Sequence, residues 1–326
     1  MRSIIRNAPL ATALAIAIAI AAGSAAAQEK VTISIATGPT AGVYYPLGGG
    51  IANVLSRYVP GYAANAESTA GSVANIQLMS QKKSDLALSM ADAAWDGYRG
   101  QGKFSSGTVP LRALMVAYPN RMHVVTVEGS GINKLADLKG KRVSTGAPNS
   151  ATELMTFRLL DAVGIDPEKD LKRERLDPGK STDAIKDRKL DAYFFVAGIP
   201  TSAVTDLGAT PGLKLKLIDH ADAVEAMNKK HGPLYVRDVI PAKSYPGQDQ
   251  PNQVATVWNI IIARADMPDE VAYNIVKTIF DKRDDLVLVH KEAQNFDLKN
   301  QSVAAASIPY HPGAVKYFAE KGVQLK

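Results

Sequence analysis

Five stretches of the chain set small polar residues just ahead of a helical pattern, an arrangement suited to hydrogen-bonding chemistry rather than bond-breaking. Thr37-Gly38-Pro39-Thr40-Ala41-Gly42-Val43-Tyr44-Tyr45-Pro46 leads into a helix from about Gly48. Glu67-Ser68-Thr69-Ala70-Gly71-Ser72 opens a second helix, and Ser89-Met90-Ala91-Asp92 follows the alternating Leu86 and Leu88. Val143-Ser144-Thr145-Gly146-Ala147-Pro148-Asn149-Ser150 opens another, with Ser150 and Glu153 at capping-box spacing. Phe194-Phe195-Val196-Ala197-Gly198-Ile199-Pro200 sets a proline at a first helical position. Free N–H groups and the positive end of the helix dipole collect at such N-termini. Five of them in one chain point to a polar crevice that binds an anion. Three helix ends and five or six hydrogen bonds would supply on the order of 8 kcal/mol, enough for micromolar binding.

The candidate binding residues follow from those loops. Thr37, Gly42 and Gly71 are loop positions that leave room for a ligand. Tyr44 and Tyr45 are candidates to wall the pocket, one of them donating its hydroxyl; which one is open. Ser72 and Asn75 lie one turn apart at a helix start, as do Ser89 and Asp92, and Asp92 would suit a ligand ammonium. Ser150, Ala151 and Thr152 offer hydroxyl and backbone donors. Phe195 is placed to pack on a carbon chain, and Asn259 lies on a strand expected to line the cleft.

Other chemistries find no footing. The five histidines are dispersed, no H-E-x-x-H or G-x-S-x-G is present, and Gly48-Gly49-Gly50 lacks the Lys-Ser/Thr of a phosphate-binding loop. There is no cysteine, hence no disulfide, thiolate metal site or cysteine nucleophile. No catalytic residue, metal or cofactor is therefore expected, and the chain is read as a non-enzyme. The net charge of +6 comes from 38 Lys and Arg scattered among 32 Asp and Glu, without a run of like charge. That distribution gives no reason to expect nucleic acid as a partner.

The elements that must hold these loops alternate. Strands are expected at Val31–Ala36, Leu111–Ala117, His123–Val127, Arg142–Ser144, Ala192–Val196 and Val254–Ala263. Helices are expected at Gly49–Tyr58, Ser72–Gln81, Thr152–Val163, Pro200–Leu207, Asp269–Phe280 and Gly313–Lys321. This rhythm is that of an α/β protein, long enough for two lobes, without an internal sequence repeat. Ahead of it, Arg2 and Arg6, the apolar run Leu10–Ala22 and the small residues Ala25-Ala26-Ala27 form a signal peptide pattern cleaved before Gln28. The run falls short of the roughly 20 residues a spanning helix needs. The mature chain is expected to be periplasmic.

The set TG-x3-G-x-YYP (Thr37, Gly38, Gly42, Tyr44, Tyr45, Pro46), Gly71-Ser72-Val73-Ala74-Asn75 and His311-Pro312-Gly313-Ala314 resembles the TAXI-type solute receptors of TRAP transporters. Asp85-Leu86-Ala87-Leu88, Leu135–Val143, Leu190–Phe195, Ala197–Pro200 and Tyr245–Gln248 extend the likeness over nearly the whole mature chain. The resemblance implies a type II periplasmic-binding-protein fold, two α/β lobes joined by two hinge strands with the ligand between them. By analogy residues 28–120 and 251–326 form lobe one and 121–250 lobe two, with crossings near Ala117–Val124 and Val254–Ile261. It implies capture of a small anionic metabolite by a monomer. That ligand is a carboxylate such as glutamate or a C5 dicarboxylate such as 2-oxoglutarate. It is delivered to large and small TRAP membrane subunits, which are often fused. A sensor subunit docking on a receptor kinase is the alternative use of the same pocket. The sequence departs from the family at Ser150-Ala151-Thr152 and at Ser89, which stands where members carry Gln. Another TRAP receptor class clamps the carboxylate with arginine, making Arg121 a rival candidate.

Overall fold

The computed structural model describes residues 30–325; the leader expected over residues 1–27 lies outside them. β1 (Val31–Ala36) reads VTISIA and buries Ile33, Ile35 and Ala36. It leads through the Thr37–Val43 loop into α1 (Tyr44–Tyr58), β2 (Tyr62–Glu67), α2 (Ser72–Ser80), β3 (Leu86–Met90) and α3 (Ala91–Arg99). β2 and β3 flank β1 and both run parallel to it, as right-handed β-α-β crossovers require. β4 (Leu111–Val127) then runs for 17 residues.

The pattern starts again after β4. β5 (Arg142–Ser144), α4 (Ala151–Ala162), β6 (Lys172–Glu174), α5 (Pro178–Lys186), β7 (Ala192–Ala197) and α6 (Ser202–Gly208) repeat the alternation, with β6 and β7 parallel to β5 on its two sides. β8 (Leu215–Leu217), α7 (Val224–His231) and β9 (Val236–Ile240) precede β10 (Asn252–Arg264), and α8 (Asp269–Asp281), α9 (Arg283–Val289), α10 (Val303–Ala306) and α11 (Pro312–Glu320) close the chain. The strand order is β2-β1-β3-β10-β4-β7-β5-β6, with β8 on β4 and β9 on β10. Each half is thus three parallel strands with the first in the middle, closed by one long antiparallel strand. The halves repeat in topology although no repeat is visible in the sequence.

β4 and β10 are the two strands common to both halves. Leu111–Val116 of β4 pairs with Ile260–Arg264 of β10, while Arg121–Val125 of β4 pairs with β7. β10 meets β3 through Asn259–Ala263 and β9 through Asn252–Thr256. Sequence reasoning expects two strands, Leu111–Ala117 and His123–Val127, because Pro119 removes a ladder donor. The structure joins them into one. Pro119 sits opposite Trp258, and between that pair and Val116–Ile260 the register shifts by one residue. A bulge absorbs the missing N–H, which is where a sheet tolerates proline.

Other boundaries move for similar local reasons. α1 starts at Tyr44 rather than near Gly49. Pro46 falls in its first turn, where an N–H has no intrahelical partner anyway, so the proline does not delay the helix. The half-exposed edge strand β2 (YAANAE) and the short β6, β8 and β9 lacked a hydrophobic signal strong enough to predict. Ser150 caps α4 by accepting Glu153 N–H at 3.1 Å. The reciprocal half of the capping box does not form, because Glu153 turns to Arg173 and Arg175 at 2.6 and 2.9 Å. His311 is the buried cap of α11, accepting Gly313 N–H at 3.2 Å through Nδ1 and donating from Nε2 to the Met267 carbonyl at 2.9 Å.

Candidate functional site

The C-terminal ends of the parallel strands of both halves face one cavity of about 550 Å³ including its mouth. This is where α/β sheets place ligands, because helix N-termini and loop amides gather there. Of the six strand–helix corners in the two parallel units, five contribute, and the sixth strand, β7, contributes its own residues. The first supplies Pro39, Gly42, Val43 and Tyr44; the second Ala70, Gly71 and Ser72; β3 ends in Met90. The second half answers with Gly146, Ala147, Ser150, Ala151 and Thr152, then Leu176 and Pro178, then Phe194–Ala197 of β7. Tyr118 and Asn120 of β4 form the floor. Among the described residues, no Lys, Arg, His, Asp or Glu lines the cavity.

Two helix N-termini from opposite halves therefore meet in an uncharged space. α2 opens after Gly71, whose φ of 111° is a backbone state that glycine adopts freely and that turns the chain from β2 into the helix. Ser72 accepts Met90 N–H at 3.0 Å, which leaves its own O–H to be donated. α4 opens after Ser150, whose hydroxyl is spent on Glu153 N–H and on the Ala147 carbonyl at 2.7 Å. Thr152 accepts Val196 N–H at 3.3 Å. Tyr44 donates to Asn259 Oδ1. Burial holds the Tyr44 phenol well above its ordinary range, with the Ser72 hydroxyl opposing the rise, so Tyr44 remains a donor at any working pH. Phe195 reaches across to Gly42, where an added Cβ would stand 3.2 Å from its ring.

Contacts between the halves close the space. The Ala41 carbonyl accepts from Thr201 and Ser202 hydroxyls at 2.8 and 2.9 Å and from Ala203 N–H at 3.3 Å. Ala74 N–H donates to the Asn149 carbonyl at 3.0 Å. Beside the cavity, Arg158 of α4 holds both oxygens of Asp96 of α3 at 2.8 and 2.6 Å. Tyr235 accepts from Arg158 at 3.0 Å and donates to Asp92 at 2.8 Å.

Of the residues singled out in the sequence, the structure brings Gly42, Tyr44, Gly71, Ser72, Ser150, Ala151, Thr152 and Phe195 to the cavity. Asn259 stands behind Tyr44. Five others lie elsewhere. Thr37 is buried with its hydroxyl on the Glu67 carbonyl at 2.6 Å. Tyr45, one helical step from Tyr44, points to the outer face and is 39% exposed. Ser89 donates to the Met90 carbonyl at 3.0 Å. Asp92 is fully buried, but in the ionic cluster with Arg158 and Tyr235. Burial raises its carboxyl above the ordinary range, and the Arg158 charge opposes this.

Asn75 is the sharpest departure from the expected pairing with Ser72. Its Nδ2 donates to the Thr37 and Leu88 carbonyls at 2.6 and 2.8 Å, and its Oδ1 accepts the Thr69 hydroxyl. It ties α2 to the ends of β1 and β3 and has nothing left for a ligand. Asn75→Ala is expected to cost at least about 2 kcal/mol of stability, because buried carbonyls lose their donor. Urea unfolding measures this; unchanged stability with a large loss of affinity would reverse the assignment.

Arg121 is likewise engaged, pairing with Asp238 at 2.9 Å and Glu292 at 3.5 Å, and it does not line the cavity. Tyr118 and Asn120 were missed. Their signal was available: they sit two apart on a strand, hence on one face, next to the expected hinge crossing.

A parallel-stranded unit repeated about two shared antiparallel strands, with helix N-termini meeting in the cleft, defines a two-lobed clamp of the type II periplasmic-binding-protein fold. A protein of Bordetella bronchiseptica RB50 has a similar fold, at 16% identity over 89% of each chain and a TM-score of 0.53. So does a Listeria monocytogenes protein provisionally named an L-cystine ABC transporter, at 14% identity over 81% of this chain and 95% of that one, TM-score 0.50. The alkanesulfonate-binding protein SsuA of Xanthomonas axonopodis pv. citri, bound to MOPS, matches at 13% identity over 89% and 84% of the two chains, TM-score 0.48. The model of the NMT1-like family matches residues 35–322, and the chain belongs to that family.

Proposed function

We propose that this chain is an extracytoplasmic solute-binding protein that captures a small carboxylate between its lobes and presents it to the membrane subunits of a TAXI-type TRAP transporter. One observation carries the reading: the N-termini of α2 and α4, from opposite halves, line the same uncharged cavity. An anion placed there accepts hydrogen bonds from both lobes at once and is favoured by both helix dipoles. It has differential affinity for the closed form, which is what drives closure. The apolar remainder of the lining, with Phe195, Val196, Leu176 and Met90, suits a carbon skeleton.

The lobes are taken as residues 28–120 with 251–326, and 121–250. β4 and β10 are common to both, with the bulge by Pro119 where they pass from one to the other. The TRAP assignment rests on the resemblance of the Tyr44-Tyr45-Pro46, Gly71–Asn75 and His311–Ala314 motifs. The leader pattern ahead of Gln28 supports a periplasmic site of action.

Titration calorimetry of the mature protein against small carboxylic and amino acids tests the ligand class. At least one carboxylate is expected to bind with a dissociation constant of about micromolar, with compaction seen by small-angle scattering. Silence across the whole series would sink the reading. Uptake of that carboxylate by cells carrying the transporter genes, and its loss on deleting this chain, tests the delivery role.

A further inference from the structure

The floor of the cavity makes a demand that a carboxylate at the helix ends does not meet. Two buried polar atoms of its lining, the Tyr118 hydroxyl and Asn120 Oδ1, find no hydrogen-bond partner among the described residues, nor does Asn259 Nδ2 behind it. Tyr118 is 0% and Asn120 2% exposed, and both line the cavity. Asn259 is fully buried and joined to the lining through Tyr44, whose hydroxyl its Oδ1 accepts. Buried polar atoms in native proteins are nearly all paired, so the two orphans in the lining call for a ligand that pairs them.

The backbone explains how they converge. Trp258 faces Pro119 and Ile260 faces Val116, so Ala117 and Tyr118 together oppose the single Asn259. Such a bulge re-aims side chains and is common beside binding sites. Tyr118 and Asn120 share a face of β4. The polar end of the cleft is thus built on the two strands the halves share.

The chemistry at this end is neutral and two-signed. Asn120 offers an acceptor in Oδ1 and a donor in its NH₂, and the Tyr118 hydroxyl does either. A second carboxylate here brings no donor for Asn120 Oδ1, and the lining holds no cation to offset its desolvation. A carboxamide supplies what is missing: its NH₂ donates to Asn120 Oδ1, and its C=O accepts from the Tyr118 hydroxyl or the Asn120 NH₂. We propose that Tyr118 and Asn120, with Asn259 behind them, form an uncharged recognition end for a primary amide or an equivalent neutral donor–acceptor group. The ligand is then a monoanion, a short chain with a carboxylate at one end and an amide at the other. The proposal rests on the carboxylate reading above and narrows it against dicarboxylates.

The test uses matched pairs on the wild-type mature protein: glutaramate with glutarate, and L-glutamine with L-glutamate, by titration calorimetry. The amide member of at least one pair is expected to bind at least about tenfold tighter than its dicarboxylate. In Asn120→Ala that ratio should fall to within about threefold, while the dicarboxylate's own affinity changes little. A dicarboxylate that binds as well as its amide overturns the neutral end and leaves the carboxylate reading intact. A preference that persists in Asn120→Ala overturns the assignment to this floor. No binding by any member overturns the amide end, and the carboxylate reading falls with it only if the wider series of carboxylic and amino acids is silent too. Should the variant fail to fold, the wild-type comparison still decides the ligand class.

Discussion

Arg158→Ala is expected to weaken ligand capture by on the order of a hundredfold, although Arg158 does not touch the cavity. Its guanidinium grips Asp96 with two bonds and stands 3.6 Å from Asp92, and its side chain is only 12% exposed. Asp92 and Asp96 belong to α3 in one half; Arg158 and Tyr235 belong to the other. In the proposed clamp, closing the lobes would bury two carboxylates, which is tolerable only while the arginine faces them. Removing one partner of such a buried pair costs about 3–5 kcal/mol, because the remaining charge is left without compensation. With the lobes apart, water solvates both carboxylates, so the cost falls on closing rather than on folding. Ligand affinity should drop, and small-angle scattering of the variant with ligand should show a more extended particle. Arg158→Lys keeps the charge without the planar fork and should lie between. An unchanged affinity in Arg158→Ala would show that the cluster contributes nothing to closure.

Acidification should destabilise the fold steeply between about pH 6.5 and pH 4. Burial pushes the His123 and His220 imidazoles down from 6.5 to about 4. His123 lies on β4, its Nδ1 within 2.9 Å of the Arg121 carbonyl and 3.2 Å of the Phe195 carbonyl. Nδ1 must carry the proton, so Nε2 accepts the Tyr245 hydroxyl at 2.7 Å. His220 donates to the Ile218 carbonyl at 2.8 Å, and its Nε2 is buried without a partner. A second proton on either ring would create a buried charge, opposed by Arg121 at His123 and only partly offset by Asp219 and Asp222 at His220. These are groups whose folded pKa is depressed. Between pH 4 and 6.5 the unfolded chain holds more protons than the folded one, so stability is complete above about 6.5 and is lost as pH falls. Each ring contributes on the order of 3 kcal/mol over that window. Urea unfolding at a series of pH values should show the decline, and His220→Asn should flatten it by about half. A flat profile from pH 7 to 4.5 would mean that the imidazoles are hydrated in the native state.

Much of the site was legible because local rules control it. A Ser, Thr or Gly ahead of a helical pattern declares a helix N-terminus, and α/β alternation places those termini on one edge of the sheet. Gly71, Ser72, Ser150 and Thr152 follow from that alone. What local rules do not contain is which way a side chain turns once its neighbours are in place. Asn75 has the right position on its helix, yet the carbonyls of Thr37, just past β1, and Leu88 of β3 occupy it. Asp92 has the spacing of a ligand contact, yet an arginine 66 positions later in the chain claims it. Tyr44 and Tyr45 are equivalent in composition, and only the start of α1 two residues ahead of Pro46 turns one inward.

The sequence by itself determined the α/β class and the helix starts that line the cavity. Each of these is written in residue type and short spacing, to which backbone hydrogen bonding and hydrophobic periodicity respond directly. Only the tertiary structure decided that the two halves share one topology, that β4 passes unbroken through Pro119, and that Tyr118 and Asn120 meet in the cavity lining with Asn259 behind Tyr44. Those outcomes depend on pairing between strands more than a hundred residues apart, where a one-residue register shift re-aims the polar side chains and no local pattern records it.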